Sequence, residues 1–551
     1  MRIDRRKALA MLGLGAAGPA AAQLPKPLGV TFNHGVASGD PKADRLVLWT
    51  RITPENGQKQ IAYTWKLNPL DRRAGGAKSG SGVTGPERDY TVKVDVAGLD
   101  PGRNYTFSFQ AEGVTSPAGR TRTLPVGATQ DVVIATVSCA LFPNGYFNVY
   151  KAIADLDRVD LVIHLGDYIY EYGGPASYGM SSAVAGERPH DPPHECRNLA
   201  DYRLRHAQYK TDQGLQAAHE RAPWIVAWDD HETANDSYAG GAENHQPDEG
   251  DWSARKAMAL KAYYEWMPIR EPAAGQSLAE AGERSFRIGD LAQIVMLETR
   301  LTARDRQLVY DRDLAGADGK PDLDGFKKKL TDPARRIMAP AQETWLAGEL
   351  AGSVKAGHAW QVIGSGVVMA RLLMPLIGRD LTPAQVADLP EQSRKRIERW
   401  QPIAAAGLPY GLDMWDGYPV DRERVYELVR KAGARPVVIS GDSHAFWANE
   451  LSDAGGKRVG VEFGGTSVTS PGADDGLKTL KLGPAFASAS PEVAFCDQGA
   501  KGFVLLTLGR TEARADLMAV SSITSKTFTT RTVKSFRFTP EGAGVSGLKE
   551  I

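Results

Sequence analysis

Residues 161–172 read Leu161-Val162-Ile163-His164-Leu165-Gly166-Asp167-Tyr168-Ile169-Tyr170-Glu171-Tyr172, an apolar run that ends in a glycine, a carboxylate and several phenols. The apolar half is typical of a buried β-strand, and the polar half is typical of the loop that follows such a strand. Ligands of open α/β sheets bind at the carboxyl ends of the strands, so Asp167 stands where a site is expected. The stretch therefore predicts an α/β fold with its chemistry at one sheet edge.

The same change from apolar to polar side chains occurs three more times in the chain. Residues 132–137 lead into Ser138 and Cys139, residues 224–228 into Asp229, Asp230, His231 and Glu232, and residues 436–440 into Gly441, Asp442, Ser443 and His444. Thiolate, carboxylate and imidazole groups are common metal ligands. We therefore predict that four strand ends bring these side chains together at one edge of a sheet.

Each candidate also has an ordinary structural explanation. Asp167 could cap a turn, residues 229–232 could form an exposed acidic turn, Cys139 could be a small buried hydrophobe, and Tyr170 could serve packing alone. Asp442 and His444 are two residues apart, so in an extended segment they point to the same side. Two carboxylates at neighbouring strand ends repel each other unless a cation lies between them. The combined pattern therefore favours a bridged metal centre.

Composition and charge exclude several classes of protein. The 551 residues are 42% hydrophobic and 24% charged, which is typical of a globular protein with more than one domain. The chain has 66 basic residues (Lys and Arg) and 66 acidic residues (Asp and Glu). It therefore lacks the excess of basic residues that would indicate specific nucleic-acid binding. We expect no stable membrane span, and the composition leaves the oligomeric state open.

The three cysteines, Cys139, Cys196 and Cys496, leave at least one thiol free. Cys139 is taken as the free thiolate because it lies beside the other candidate ligands. Cys196 and Cys496 are either buried thiols or a disulfide.

Residues 1–22 have the features of an export signal. Arg5 and Arg6 precede a weakly apolar segment, residues 8–17, and small residues precede Gln23. The adjacent arginines resemble a twin-arginine (Tat) signal, although Asp4 stands where Ser or Thr is usual. We therefore expect export by the Tat machinery, a mature chain that begins near Gln23, and a periplasmic or secreted protein.

The remaining chain divides into regions with different secondary-structure patterns. Residues 29–124 contain short strand patterns at 46–52, 61–65, 90–94 and 105–109, which predict an N-terminal β-sandwich of fibronectin type III or immunoglobulin-like type. In such sandwiches a tyrosine hydroxyl ties a corner, and residues 99–105 resemble that corner. After a linker at 124–129, strands alternate with helical patterns from 130 to 525, which predicts an α/β domain. Residues 526–551 are predicted to be a C-terminal extension.

Further elements are predicted within the α/β domain. They are helices at 146–156, from Asp251 to Pro268 and around 383–400, strands at 292–297, 360–363 and 460–463, and a long loop over the site at 173–196.

Together the motifs resemble the PhoD-type alkaline phosphatase and phosphodiesterase family. The matching motifs are Ser138-Cys139, Gly166-Asp167-Tyr168-Ile169-Tyr170-Glu171-Tyr172, Trp228-Asp229-Asp230-His231-Glu232 with Asn235, and Gly441-Asp442-Ser443-His444 with Trp447. The resemblance implies a calcineurin-like metallophosphoesterase core of two sheets flanked by helices, and a mixed site of Fe³⁺ with Ca²⁺. By position it implies that Cys139 and Tyr170 bind iron, that Asp167 bridges the metals, and that Asn235, Asp442 and His444 are the remaining ligands.

The residue types agree with that chemistry. Thiolate and phenolate suit trivalent iron, whereas carboxylate, amide and water oxygens suit calcium. His231 is a candidate for protonating the leaving oxygen, and Arg300 for holding the phosphate through two hydrogen bonds. No Ser or Thr nucleophile beside a base is evident, which favours direct hydrolysis.

We therefore predict a secreted, metal-dependent alkaline phosphatase that acts on a phosphate mono- or diester. The alternative is a secreted protein that binds metal or cell wall and has no hydrolase activity. Convergent ligands at four strand ends favour the enzyme, because a binding module needs no such assembly.

Overall fold

The computed structural model describes residues 29–551, apart from residues 56, 58, 71–74, 175–182, 317–319, 379–380, 477–479 and 481. The predicted export signal, residues 1–22, lies outside the described residues, as does part of the predicted loop at 173–196. Within the described ranges, no helix has both the length and the apolar character needed to cross a bilayer.

The strands of the N-terminal region are β1 (Val30–Thr31), β2 (Val36–Gly39), β3 (Arg45–Arg51), β4 (Thr53–Pro54), β5 (Ile61–Pro69), β6 (Lys78–Thr84), β7 (Thr91–Ala97), β8 (Asn104–Ala111), β9 (Val114–Thr115) and β10 (Gly119–Arg122). The later strands are β11 (Asp131–Val137), β12 (Leu161–His164), β13 (Trp224–Val226), β14 (Arg284–Ile288), β15 (Ala292–Met296), β16 (Trp360–Ser365), β17 (Pro436–Ser440), β18 (Phe446–Ser452), β19 (Arg458–Gly464), β20 (Val493–Asp497), β21 (Lys501–Gly509), β22 (Ala513–Val520), β23 (Thr530–Phe538), β24 (Pro540–Glu541), β25 (Gly544–Val545) and β26 (Lys549–Glu550). The helices are α1 (Asn148–Ala154), α2 (Leu199–Tyr209), α3 (Gln213–Arg221), α4 (Trp252–Trp266), α5 (Tyr310–Asp313), α6 (Leu323–Leu330), α7 (Pro340–Lys355), α8 (Pro383–Ala387), α9 (Glu391–Ala405), α10 (Pro419–Ala432) and α11 (Leu482–Ala489).

Two large sheets face each other and enclose a shared core. The first has the strand order β26-β23-β22-β21-β11-β12-β13-β2-β3-β7, and the second has the order β14-β15-β16-β17-β19-β18-β20. In the first sheet β11, β12 and β13 run parallel, and in the second β15, β16, β17 and β19 do so. Buried side chains such as Ile134, Ile163, Val362 and Ile439 fill the space between them. The predicted two-sheet α/β sandwich is confirmed.

Helices cover the outer face of each sheet. Tyr150 of α1 and Tyr263 of α4 pack in the apolar cluster on the first sheet, and Leu346 of α7 and Val425 of α10 pack in the cluster on the second. Strands covered on both faces need apolar side chains on both sides, which explains the continuous apolar runs of β11, β12, β13 and β17.

The predicted helices are present with small differences. Helix α1 connects β11 to β12, as its apolar face predicts. Asp251 caps α4 by accepting a hydrogen bond from the Ala254 amide at 2.8 Å, and α4 ends at Trp266, shortly before Pro268. The helix predicted around 383–400 is two helices, α8 and α9, which are separated at Pro390.

The N-terminal region contains the two facing layers of the predicted β-sandwich, because Leu48 of β3 and Phe107 of β8 pack in one apolar core, and it is also joined to the first large sheet. Strands β5, β6, β8, β9 and β10 form a sheet of their own, but β2, β3 and β7 extend the first large sheet. Gly39 of β2 pairs with Trp224 of β13, and a Cβ at Gly39 would overlap the carbonyl oxygens of Trp224 and Pro268. The predicted tyrosine corner is present, because the Tyr105 hydroxyl accepts a hydrogen bond from the Asp100 amide at 3.2 Å.

The residues predicted as a C-terminal extension, 526–551, add strands to the first sheet. Strand β23 pairs with β22 on one side and with β26 on the other. Phe536 and Phe538 of β23 lie in the core between the two sheets. The segment therefore completes the sandwich.

Candidate metal centre and active site

The predicted ligands meet where strands β11, β12, β13 and β17 end. Their ligand atoms form three overlapping groups, each within 4.8 Å: Cys139, Asp167 and His444; Asp167, Asp230 and His231; and Asp167, Asp229, Asp230 and Asp442. Asp167 belongs to all three groups. The structure therefore brings together five of the eight residues singled out from the sequence, and it places Asp167 at their centre.

Tight backbone turns aim these side chains into the site. Cys139, Asp167, Asp442 and His444 have φ angles of 63°, 55°, 64° and 56°, in the left-handed region that residues other than glycine rarely adopt. Such conformations persist where the surrounding structure enforces them, and they cluster at functional sites. Each of these residues follows the end of a strand and carries metal-binding chemistry.

Glu232 holds two of the turns in place. Its Oε2 accepts hydrogen bonds from the amides of Asp167 at 3.1 Å and Asp229 at 2.8 Å, and its Oε1 accepts one from Tyr168 at 2.6 Å. The side chain is buried, and burial raises the pKa of Glu232 to about 7 although these hydrogen bonds oppose the shift. One carboxylate thus links the ends of β12 and β13.

Negative charge accumulates at the centre. Burial raises the pKa of Asp167 well above its usual value, and the neighbouring carboxylates of Asp230 and Asp229 raise it further. Burial and the charge of Asp229 act in the same way on Asp442. Within the described residues, the buried atoms Asp167 Oδ1 and Asp230 Oδ1 have no hydrogen-bond partner. Buried carboxylate oxygens without partners are costly, so this donor set fits one or more cations.

Tyr170 and His444 lie on the side of the centre next to Cys139. The Tyr170 hydroxyl is 3.1 Å from Asp167 Oδ2 and 3.3 Å from His444 Nε2. His444 donates through Nδ1 to the Pro471 carbonyl oxygen at 2.9 Å, which leaves Nε2 as the acceptor nitrogen, an arrangement typical of metal-binding histidines. Burial, followed by the charge of Asp167, raises the pKa of the Cys139 thiol, so a bound cation is needed to keep it ionised.

His231 is oriented by Glu171. The imidazole donates through Nδ1 to Glu171 Oε2 at 2.7 Å, and its ring lies 4.1 Å from the Tyr170 ring, centroid to centroid. Burial lowers the pKa of His231, but the carboxylates of Asp230 and Glu171 outweigh it and hold this pKa well above 6.5. These carboxylates therefore favour the protonated imidazole, which lies beside Asp167 and Asp230.

Arg300 is paired with two carboxylates of the protein. Its Nε and Nη2 donate to Asp229 at 2.6 and 2.9 Å, its Nη1 donates to Asp413 at 2.8 Å, and its side chain has no exposed surface. Carboxylates of the protein occupy these donors, and phosphate binding by Arg300 stays a prediction. Arg300 holds Asp229 in position and offsets part of the negative charge.

Asn235 lies beside the centre next to Glu171. The backbone N–H of Asn235 donates a hydrogen bond to Glu171 Oε1 at 2.7 Å, and the side-chain oxygen accepts one from the Tyr172 hydroxyl at 3.0 Å. The side-chain nitrogen donates to Glu243 at 3.1 Å. Metal binding by Asn235 stays a prediction.

Sequence reasoning missed four residues that shape the site. Glu171 and Glu232 lie within the motifs that follow β12 and β13, but their roles depend on hydrogen bonds to backbone amides that are distant in the sequence. Asp413 comes from an irregular segment without a pattern, and Ser470, which donates to the Tyr170 hydroxyl at 2.6 Å, lies in a loop with no distinguishing signal.

Comparison with known proteins identifies the family. The family model described as PhoD-like phosphatase matches residues 134–517, and the model of the PhoD-like phosphatase N-terminal domain matches residues 19–125. The chain belongs to the PhoD-like phosphatase family. Alkaline phosphatase D of Bacillus subtilis (strain 168) is 33% identical to it over 534 residues, which cover 93% of this chain and 82% of the relative.

A solved structure of PhoD supports the same assignment. It aligns with a TM-score of 0.75 and 31% identity, over 94% of this chain and 92% of the PhoD chain. The family resemblance seen in the motifs is confirmed, and the PhoD-like chain is a phosphoric ester hydrolase. The alternative of a binding protein without hydrolase activity is set aside.

Proposed function

We propose that this PhoD-like phosphatase is a secreted, metal-dependent hydrolase of phosphate mono- or diesters whose centre holds Fe³⁺ together with Ca²⁺. The observation that carries the proposal is the position of Asp167. This buried carboxylate belongs to all three candidate ligand groups and has an oxygen without a hydrogen-bond partner among the described residues. A carboxylate in that position is suited to bridging cations.

The donor types divide the centre into two sides. Cys139, Tyr170 and His444 offer thiolate, phenolate and imidazole beside Asp167, a set that suits trivalent iron. Asp229, Asp230 and Asp442 offer carboxylate oxygens on the other side, a set that suits calcium. Asn235 remains a proposed further ligand on that side.

Cations bound there would offset charge on the phosphoryl oxygens and lower the pKa of a water molecule that attacks the phosphorus. Glu171 fixes His231 through Nδ1, so the opposite ring nitrogen is free to deliver a proton to the leaving oxygen. Arg300 keeps Asp229 in place through its paired hydrogen bonds, and its charge opposes the rise that burial causes in the pKa of Asp229.

Hydrolysis of a phosphomonoester and a phosphodiester by the same sample, with metal analysis, tests this proposal. We expect turnover of at least one ester by protein that contains iron and calcium, and loss of turnover after chelation. Equal activity before and after complete metal removal would contradict metal dependence.

A further inference from the structure

Lys501 is a buried cation beside the candidate ligands that the proposed centre does not use. It begins strand β21, and its side chain is only 8% exposed. The Nζ atom donates to Asp475 Oδ2 at 3.2 Å. An ammonium has three donors, and in the described part of the chain the bond to Asp475 uses one of them.

The ammonium lies next to the backbone that positions His444. The Pro471 carbonyl oxygen accepts the hydrogen bond of His444, and Gly472 follows Pro471. A Cβ built on Gly472 would lie 3.1 Å from the His444 carbonyl oxygen and 3.5 Å from Lys501 Nζ. The ammonium and the His444 backbone therefore flank the same glycine.

Asp475 is a counter-ion that a more highly charged anion can replace. Its side chain is 38% exposed, and its Oδ2 also accepts a hydrogen bond from the Gly472 amide at 2.6 Å. Because Lys501 itself is buried, its ammonium can leave Asp475 only when another anion, such as a phosphoryl oxygen, takes the place of that carboxylate. Arg300, by contrast, is fully buried and is held by the two carboxylates of Asp229 and Asp413.

We propose that Lys501 is a substrate-binding residue whose ammonium leaves Asp475 and binds a non-bridging oxygen of the phosphoryl group, on the side of the centre formed by Cys139 and His444. This inference rests on the proposed function. A lysine ammonium is a compact point charge with rotatable donors, which suits a phosphoryl group whose oxygens move during the reaction. Asp475 competes with the substrate for this ammonium and thereby sets the affinity.

Binding of inorganic phosphate to the metal-loaded protein, measured by calorimetry, tests the assignment without turnover. Lys501→Met should weaken phosphate binding by about tenfold or more, because a charge-assisted hydrogen bond is lost, and raise KM for a phosphomonoester. Lys501→Arg should retain part of the affinity. Asp475→Asn should shift affinity in the opposite direction and tighten phosphate binding.

The matched control is Lys534→Met, which removes an ammonium paired with Glu550 at the edge of the first sheet and should leave phosphate binding unchanged. Unchanged phosphate affinity in Lys501→Met overturns the proposal, as does loss of bound metal in that variant, which would make Lys501 a structural residue. If Lys501→Met does not fold, the Asp475→Asn variant provides the test. Phosphate binding by Asp475→Asn that is unchanged or weaker than that of the wild type overturns the proposal. If phosphate binding depends on Lys501 but the protein hydrolyses neither ester, the role of Lys501 is supported and the proposed function is contradicted.

Discussion

Asp167 is the residue on which the centre depends most. Replacing it with Asn removes one negative charge from all three ligand groups, so we expect lower metal content and a loss of activity of about 100-fold or more. Metal analysis and hydrolysis rates of the same preparations measure both effects. Asp157→Asn, a change at an exposed position near the start of β12, is the matched control and should change neither. Full metal content and normal turnover in Asp167→Asn would reduce this residue to a turn cap.

The same substitution should stabilise the metal-free protein. Because the pKa of Asp167 is raised in the folded state, the folded protein binds more protons at this residue than the unfolded chain does. Its contribution to stability is therefore favourable only at low pH and is lost as the pH rises above about 4, the usual value for Asp. The melting temperature of chelated Asp167→Asn should exceed that of the chelated wild type, by a margin that grows from pH 4 to pH 7. A margin independent of pH would contradict the raised pKa.

Arg300 should act on stability more than on substrate affinity. Replacing it with Met leaves Asp229 buried without its partner, which costs about 3–5 kcal/mol in comparable sites. Denaturant unfolding measures the loss, and Arg399→Met, at an exposed pair with Asp311, should cost less than about 1 kcal/mol. A rise in KM with unchanged stability would support the phosphate-binding role predicted from the sequence.

For single residues, the sequence predicts well which side chains are candidate metal ligands, but it predicts poorly which residues they form hydrogen bonds with. Cys139, Asp167, Asp442 and His444 follow apolar strands directly, so their convergence follows from the strand pattern alone. The true partner of Arg300 could not be predicted, because Asp413 lies more than a hundred residues away in a segment without periodicity. Glu232 could be seen as an acidic residue, but its hydrogen bonds to three backbone amides depend on the folded turns.

The junction between β2 and β13 is the element that joins the N-terminal region to the catalytic sheet. A Cβ at Gly39 would overlap two carbonyl oxygens, so Gly39→Ala should cost about 1–3 kcal/mol and increase proteolytic cleavage near residue 39. Gly348→Ala is the matched control in α7, where a Cβ would meet no atom within 4 Å, and it should stabilise the protein by about 0.5–1 kcal/mol. Equal effects of the two substitutions would argue against a close junction.

Strand positions were predictable, but their partners were not. The apolar runs of β11, β12 and β17 identify buried strands, and the corner at Tyr105 identifies sandwich-like turns in the N-terminal region. Neither signal shows that β2, β3 and β7 extend the catalytic sheet, because strand pairing between distant segments leaves no local pattern. In β23 the alternation around Phe536 and Phe538 is too short to show from the sequence that this segment pairs within the sheet, between β22 and β26.

For the whole molecule, export remains a prediction from residues 1–22. Because Arg5 and Arg6 precede a weakly apolar segment, we expect a mature chain that begins near Gln23 and crosses the membrane folded, with its metals already bound. Mass spectrometry of the exported protein measures the first residue. Lysine at both arginine positions should abolish export by this route, and undiminished export of that variant would contradict the Tat assignment.

In the proposed phosphoesterase centre, Cys139 and Tyr170 would hold iron and Asp167 would bridge it to calcium. Its most direct test is a visible spectrum of the active protein combined with metal analysis of the same sample. Phenolate and thiolate bound to ferric iron should give a charge-transfer band, which Tyr170→Phe should bleach or shift and Cys139→Ala should abolish with loss of iron. A colourless preparation with full activity and stoichiometric zinc would contradict the proposal, because zinc has a filled d shell and gives no such band.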